Sequence, residues 1–193
     1  MAGCFVCFPR GPSGPGSAGD PAWVAAVLVR GDRAVASAVV RGSAGAPYEA
    51  GLLALREGPL LEAAVRALVE TPDVVIVDAT GRDHPRRAGV ALHLGTILDL
   101  PTVGVTHRPL VAAGAWPAGD RGARSPLVLE GELVGYWVRT RAGTRPLAVH
   151  AGWRTSPDIA AEVVLGTVRW RTPEPLRHAR RLAREARAAP SPA

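Results

Sequence analysis

Two carboxylates and a run of arginines are the residues of this 193-residue chain whose type and placement could do chemistry. Asp78 follows the apolar run 74–77 and leads into Ala79-Thr80-Gly81. In open α/β sheets ligands gather outside the carboxyl ends of strands, so an acid there is placed to work. The plainer reading is an aspartate that starts a turn. Glu57 precedes Gly58-Pro59, a helix-start signal, where the helix dipole favours an anion with or without catalysis. Between Arg169 and Arg187 seven arginines stand against two glutamates and carry most of the net charge of +6. A basic terminal helix suits a polyanion, and equally a solvated helix face. All 23 basic residues are arginine, which forks onto phosphate oxygens where lysine acts as a point charge. Cys4 and Cys7 make half a zinc site with no second pair. They are read as small hydrophobes on one face of a strand.

The elements that must position these residues follow from periodicity. Residues 3–8, 23–29 and 34–40 read as three strands, the last two joined through Arg30-Gly31-Asp32-Arg33 as a hairpin. A Gly/Pro/Ser-rich loop over 9–22 separates the first two. Helices are expected from Gly58-Pro59, with Leu61, Ala64, Val65 and Leu68 buried, and from Pro85, with Ala91, Leu94, Gly95 and Leu98 on one face. Residues 74–77 and 102–105 are apolar without alternation, as in strands buried on both faces. Two more strands, 132–140 and 146–150, turn at Ala142-Gly143. Helices capped by Ser156 and Thr172 close the chain. This order implies an α/β fold, a mixed sheet with helices on both faces, in one domain over 1–187 with a frayed tail over 188–193. That length can bury roughly 70% of its unfolded surface. No apolar run approaches the roughly 20 residues that span a bilayer, so no membrane partner is expected. Two cysteines and no leader-like segment point to a reducing cytoplasm.

Several ordered motifs carry a resemblance. Pro47-Tyr48-Glu49-Ala50-Gly51-Leu52-Leu53-Ala54-Leu55-Arg56-Glu57-Gly58-Pro59, Val77-Asp78-Ala79-Thr80-Gly81, Asp83-His84-Pro85-Arg86-Arg87-Ala88-Gly89-Val90-Ala91 and His93-Leu94-Gly95 resemble the signatures of the endonuclease V family. Leu100-Pro101-Thr102-Val103-Gly104-Val105 and Pro173-Glu174-Pro175-Leu176-Arg177 follow in the same order. The similarity runs from about Ala34 to Leu182. It implies a ribonuclease H-like fold and a nuclease that cuts near deoxyinosine in DNA or inosine in RNA, with nucleic acid as the partner; the oligomeric state stays open, a monomer being the default expectation. It also implies a metal site, with Mg²⁺ (Mn²⁺ as the alternative) held by acidic side chains that include Glu57 and Asp78. Tyr48 matches a strand-separating wedge, whose ring could stack where an extruded base has left. Gly51, Leu53 and Gly89 match the pocket for that base, and His84 and Arg86 match a histidine-proline-arginine element near the active site. His93 is read as a core histidine.

The pattern also breaks. The family's first strand carries a catalytic aspartate, and here Phe5 stands in its place. Asp20 is the nearest substitute: if residues 3–8 pair with 23–29, it lies near the active end and could reach a metal. The family's lysine after the Gly-Val strand is His107, its late histidine is Trp153, and Glu49 and Ala50 alter the wedge. An anion at Glu49 opposes phosphate. Three function classes therefore stay open: an inosine-directed, metal-dependent nuclease, a catalytically inactive relative that binds nucleic acid or protein, and an enzyme with repurposed small-molecule chemistry.

Overall fold

The computed structural model describes residues 1–9 and 14–189. Among them the chain forms an eight-stranded mixed sheet with four helices. In chain order the elements are β1 (Ala2–Cys7), β2 (Pro21–Arg30), β3 (Arg33–Ser43), α1 (Leu53–Arg66), β4 (Val75–Val77), α2 (Val90–Leu98), β5 (Thr102–Thr106), β6 (Arg124–Leu129), β7 (Glu132–Val138), β8 (Leu147–Ala151), α3 (Pro157–Thr167) and α4 (Glu174–Ala188). The strand order is β3-β2-β1-β4-β5-β8-β7-β6. β1, β4 and β5 are mutually parallel and central; β2, β3, β8, β7 and β6 are joined antiparallel.

Each face of the sheet buries an apolar set. On one, Ala2, Cys4, Val24, Val75 and Val77 pack beneath Leu61, Ala64 and Leu94 of α1 and α2. On the other, Ile76, Val103 and Val149 meet Ala160 and Val164 of α3, while Phe5, Cys7, Ala25 and Val27 meet Ala179 and Ala183 of α4. The two cysteines therefore point to opposite faces, not to one as expected. Residues three apart on a strand differ by an odd step, and side chains alternate with a period of two.

Tertiary contacts moved several boundaries. α1 begins at Leu53 rather than at Gly58-Pro59, with Pro59 inside it on the exposed side. The ring removes one rung of the helix ladder, and the neighbouring Arg56 carbonyl accepts from Gly45 N at 3.1 Å. Glu57 therefore lies past the first turn, beyond the strongest support of the dipole. α2 begins at Val90 rather than at Pro85, because Arg87 is left-handed (φ 54) and the first amides of the helix end bond back to the loop after β4, Gly89 N to Gly81 O and Ala91 N to Thr80 O. β6 has no counterpart among the expected strands; it carries Pro126, whose missing amide is tolerated because β6 is an edge strand. Ser156 caps α3 as expected, accepting from Ile159 N, whereas α4 starts after Pro173 with no side-chain cap from Thr172. Part of the loop expected over 9–22 and most of the tail over 188–193 lie outside the described residues.

Candidate active site

The carboxyl ends of β4 and β5 open onto a pocket of about 260 Å³. Its walls include Glu57 and Leu53 from α1, Asp78 from the end of β4, Tyr48 and Gly51 from the approach to α1, His84 and Gly89 from the approach to α2, and Thr106 and Arg108 from the end of β5. Two stretches of the chain, 48–57 and 78–89, thus deliver seven of the nine expected site residues to one cavity. Its apolar lining and few polar groups suit a small ring system, and its size falls just short of the roughly 300–1,000 Å³ typical of small-molecule sites.

The glycines have physical reasons. Gly51 sits at φ 80, where a side chain would be strained. At Gly89 a Cβ would lie 2.4 Å from Thr80 O, so only glycine lets the turn after β4 close against the start of α2. His84 ties the two approaches together. Its Nδ1 accepts from Arg86 N at 3.1 Å, which leaves the Nε2 proton to donate to Gly51 O at 3.0 Å. Arg86 contributes that backbone amide; its side chain is exposed and is not part of the pocket wall.

Glu57 and Asp78 face different electrostatics. Among the described residues no hydrogen bond or ion pair holds the Glu57 carboxyl. Burial pushes its pKa up to about 7, with Arg56 opposing the rise and Asp78 adding to it. An unfolded carboxyl ionises near 4.5. Between those values the folded protein holds the extra proton, so stability falls as pH rises from about 4.5 to 7. Replacing Glu57 with Gln is expected to stabilise the fold by about 2 kcal/mol at pH 8 and to do little at pH 4.5, read as a rise of roughly 4–8 °C in Tm at the higher pH only. Equal shifts at both pH values would refute the unpaired carboxylate.

Asp78 is not free. Arg180 of α4 reaches it with Nη2 to Oδ2 at 2.8 Å, and both side chains are mostly buried. The Arg180 guanidinium also lies over the Phe5 ring at 5.6 Å, with Arg184 on the same ring at 5.7 Å. Phe5 stands beside Asp78 by register, since Cys4 pairs with Val77 in the parallel β1–β4 ladder. Asp20 does lie at the active end of β2, yet it serves Arg56. It accepts from Arg56 Nη2 at 2.7 Å and from Ser17 N at 2.8 Å, and these bonds hold its carboxyl below the usual range. It does not line the pocket. Among the described residues no group of three or more His, Cys, Asp or Glu side chains could hold a metal ion. With Phe5 offering no oxygen and Asp78 occupied by a guanidinium, the donor set in this arrangement does not fit Mg²⁺ or Mn²⁺.

Two contributors escaped sequence reasoning. Asp83, fully buried, accepts from the amides of Leu110, Val111 and Ala112 at 2.6, 2.9 and 2.7 Å and so shapes the pocket wall after β5. Beside it, His150 is held down in pKa by burial, and its Nε2 bonds to the Thr106 hydroxyl, which itself donates to Arg108 O. Arg180 is the other. It lies four residues after Leu176 and one after Ala179, at the margin of the buried stripe of α4, a spacing that could have marked it. His93 packs against Gly58 in the α1–α2 contact but is only half-buried, short of the core position expected for it.

Comparison with known proteins then places the chain. A sequence profile described as Endonuclease V matches residues 16–181. The chain belongs to the endonuclease V family. Relatives in the family named endonuclease V include those of Methanopyrus kandleri, 46% identical over 147 residues (76% of this chain, 63% of the relative), and Xanthomonas campestris, 42% identical over 146 residues (75% and 62%). The chain thus spans less than two thirds of the length of these two relatives. The endonuclease V structures from Streptomyces avermitilis (35% identity, TM-score 0.87, covering 96% of this chain and 80% of that one) and the human catalytic domain (32%, 0.85, 96% and 80%) share its ribonuclease H-like fold. So does the Ciona intestinalis protein, solved in complex with a 24mer DNA containing an inosine followed by a ribo-adenosine (23%, 0.74, 96% and 84%).

Proposed function

We propose that this chain is an endonuclease V-type hydrolase that acts on phosphodiester bonds near deoxyinosine in DNA or inosine in RNA, in the cytoplasm. The observation that carries this reading is the delivery of Glu57 and Asp78 to one pocket whose other walls are Tyr48, Gly51, Leu53 and Gly89. Gly51 and Gly89 leave the cavity open to a flat base, and Leu53 offers it an apolar wall. Tyr48, half exposed at the rim, offers a ring on which the neighbouring base can stack once the target is extruded. His84 holds the Gly51 turn in place and is a positioning residue in this scheme. Negative charge on the phosphate meets the guanidinium of Arg108 in the pocket wall.

The test is a single-deoxyinosine oligonucleotide and its inosine RNA counterpart, incubated with the protein and Mg²⁺ or Mn²⁺. Cutting beside the lesion is expected, slower by about 10²-fold or more in Asp78→Ala, because an acidic group at a hydrolytic centre contributes several kcal/mol. Equal cutting of plain adenine strands, or undiminished cutting by Asp78→Ala, would refute the assignment. The Phe5 substitution and the Arg180–Asp78 pair favour a second reading, a reader of inosine-bearing strands that binds without cutting. Binding with no product from any strand would establish it.

A further inference from the structure

Next to the pocket, on the β5–β8 side, lies a cleft of about 480 Å³ walled by His107, Arg108, Arg145 and Arg171. Arg108 lines both openings, so they share a wall. Among the described residues no ion pair neutralises Arg108, Arg145 or Arg171, and the nearby carboxylate, Asp78, is already paired with Arg180. The cations are also held in place. Arg171 donates to Arg145 O at 2.8 Å, to Pro146 O at 3.3 Å and to His107 Nδ1 at 3.3 Å. Three of its five N–H groups are thereby fixed and the rest remain available. With Nδ1 accepting, the His107 proton stands on Nε2 as a further donor. Burial and the charges of Arg171, Arg180 and Arg145 lower the pKa of that ring, with Asp78 opposing. Arg145 lies over Trp116, an exposed ring 5.5 Å away. Like charges gathered without counter-ions, with donors pre-aligned, are the make-up of an anion site, and guanidiniums fit phosphate oxygens in pairs.

We propose that His107, Arg108, Arg145 and Arg171 form a phosphodiester-binding cleft that holds the strand beside the base pocket, and that Arg180 supplies at Asp78 the positive charge of a divalent ion, so that binding needs no metal. Trp116 gives a base of that strand a face to stack on. This rests on the reading above only for the identity of the ligand as a nucleic-acid strand.

The experiment measures fluorescence anisotropy of labelled single strands, DNA and RNA, each with and without one inosine, in EDTA and in Mg²⁺. EDTA is expected to leave affinity unchanged. Arg145→Ala with Arg171→Ala is expected to weaken binding of every strand by about tenfold or more and to flatten the slope of log K against log salt by about 1.4, measured between about 50 and 200 mM. Preference for inosine should survive, since the base pocket is untouched. Arg171→Lys keeps the charge without the fork and should recover part of the loss. Thermal melts verify folding, and if the double variant is unfolded, Arg145→Ala alone should show about half the change in slope. Wild-type affinity and slope in the variants, loss of binding in EDTA, or no binding by the parent would each overturn the cleft. Arginine-dependent binding with no inosine preference and no cutting would sink the proposed function and leave the cleft standing. Inosine cutting undisturbed in the arginine variants would do the reverse.

Discussion

A Phe5→Asp, Arg180→Ala double variant is expected to cut deoxyinosine strands about 10²-fold faster than the parent in Mg²⁺, the size of effect that one carboxylate brings to a hydrolytic site. The register of β1 against β4 sets position 5 beside Asp78, so the new carboxylate joins Asp78, which shares its pocket with Glu57. Each single change should do much less. With Phe5→Asp alone, Arg180 and Arg184, which now lie over the Phe5 ring, would neutralise the added acid. With Arg180→Ala alone, Asp78 is released but no donor is gained. The gain should therefore be strongly non-additive, as for groups sharing one site. Calorimetric titration with Mn²⁺ gives an independent readout: a binding isotherm for the double variant and none for the parent. A folded double variant that neither binds Mn²⁺ nor cuts faster would show that the loss of function, if any, lies elsewhere than in the cation set.

Arg56→Ala is expected to destabilise the fold by about 3 kcal/mol, since removing this buried guanidinium leaves a packing gap and strands the carbonyl oxygens of Ser17 and Ala46. Arg56 is 3% exposed. It donates to Asp20 at 2.7 Å, to Ser17 O and Ala46 O at 2.8 Å each, and lies over the Phe8 ring at 4.3 Å. One side chain thus staples the entry of β2, the exit of β3 and the end of β1 onto α1. Urea denaturation should report the loss, and Tm should fall by roughly 6–12 °C. A change below about 1 kcal/mol would mean that the loops hold themselves. The same substitution removes a charge that lowers the Glu57 pKa, so the pH dependence attributed to Glu57 should extend to higher pH in the variant.

Much of this architecture was legible in the chain. The apolar runs before Asp78 and after Pro101 read directly as buried parallel strands, because a strand covered on both faces cannot alternate. The Gly31 turn marked the β2–β3 hairpin, and the motifs around Glu57, Asp78, His84 and Gly89 marked residues that the fold does gather around one pocket. Helix starts were less legible. Gly58-Pro59 and Pro85 carry start signals, but a proline is also tolerated on an exposed helix side or in a turn, and the bonds that fixed the true starts run to Gly45, Thr80 and Gly81, distant in sequence.

The sequence by itself determined the order of the strands and helices other than β6, the family, and the replacement of an acid by Phe5, because hydrophobic period and residue identity are local properties. Only the tertiary structure decided which cation meets which anion. Seven arginines near the carboxyl terminus are equivalent in one dimension; packing of α4 on β1 and β2 turned Arg180 onto Asp78, while a separate fold of the chain gave Asp20 to Arg56. Electrostatic partnership falls off with distance in space and not along the chain, so the state of the carboxylates at this site was fixed by where the helices came to rest.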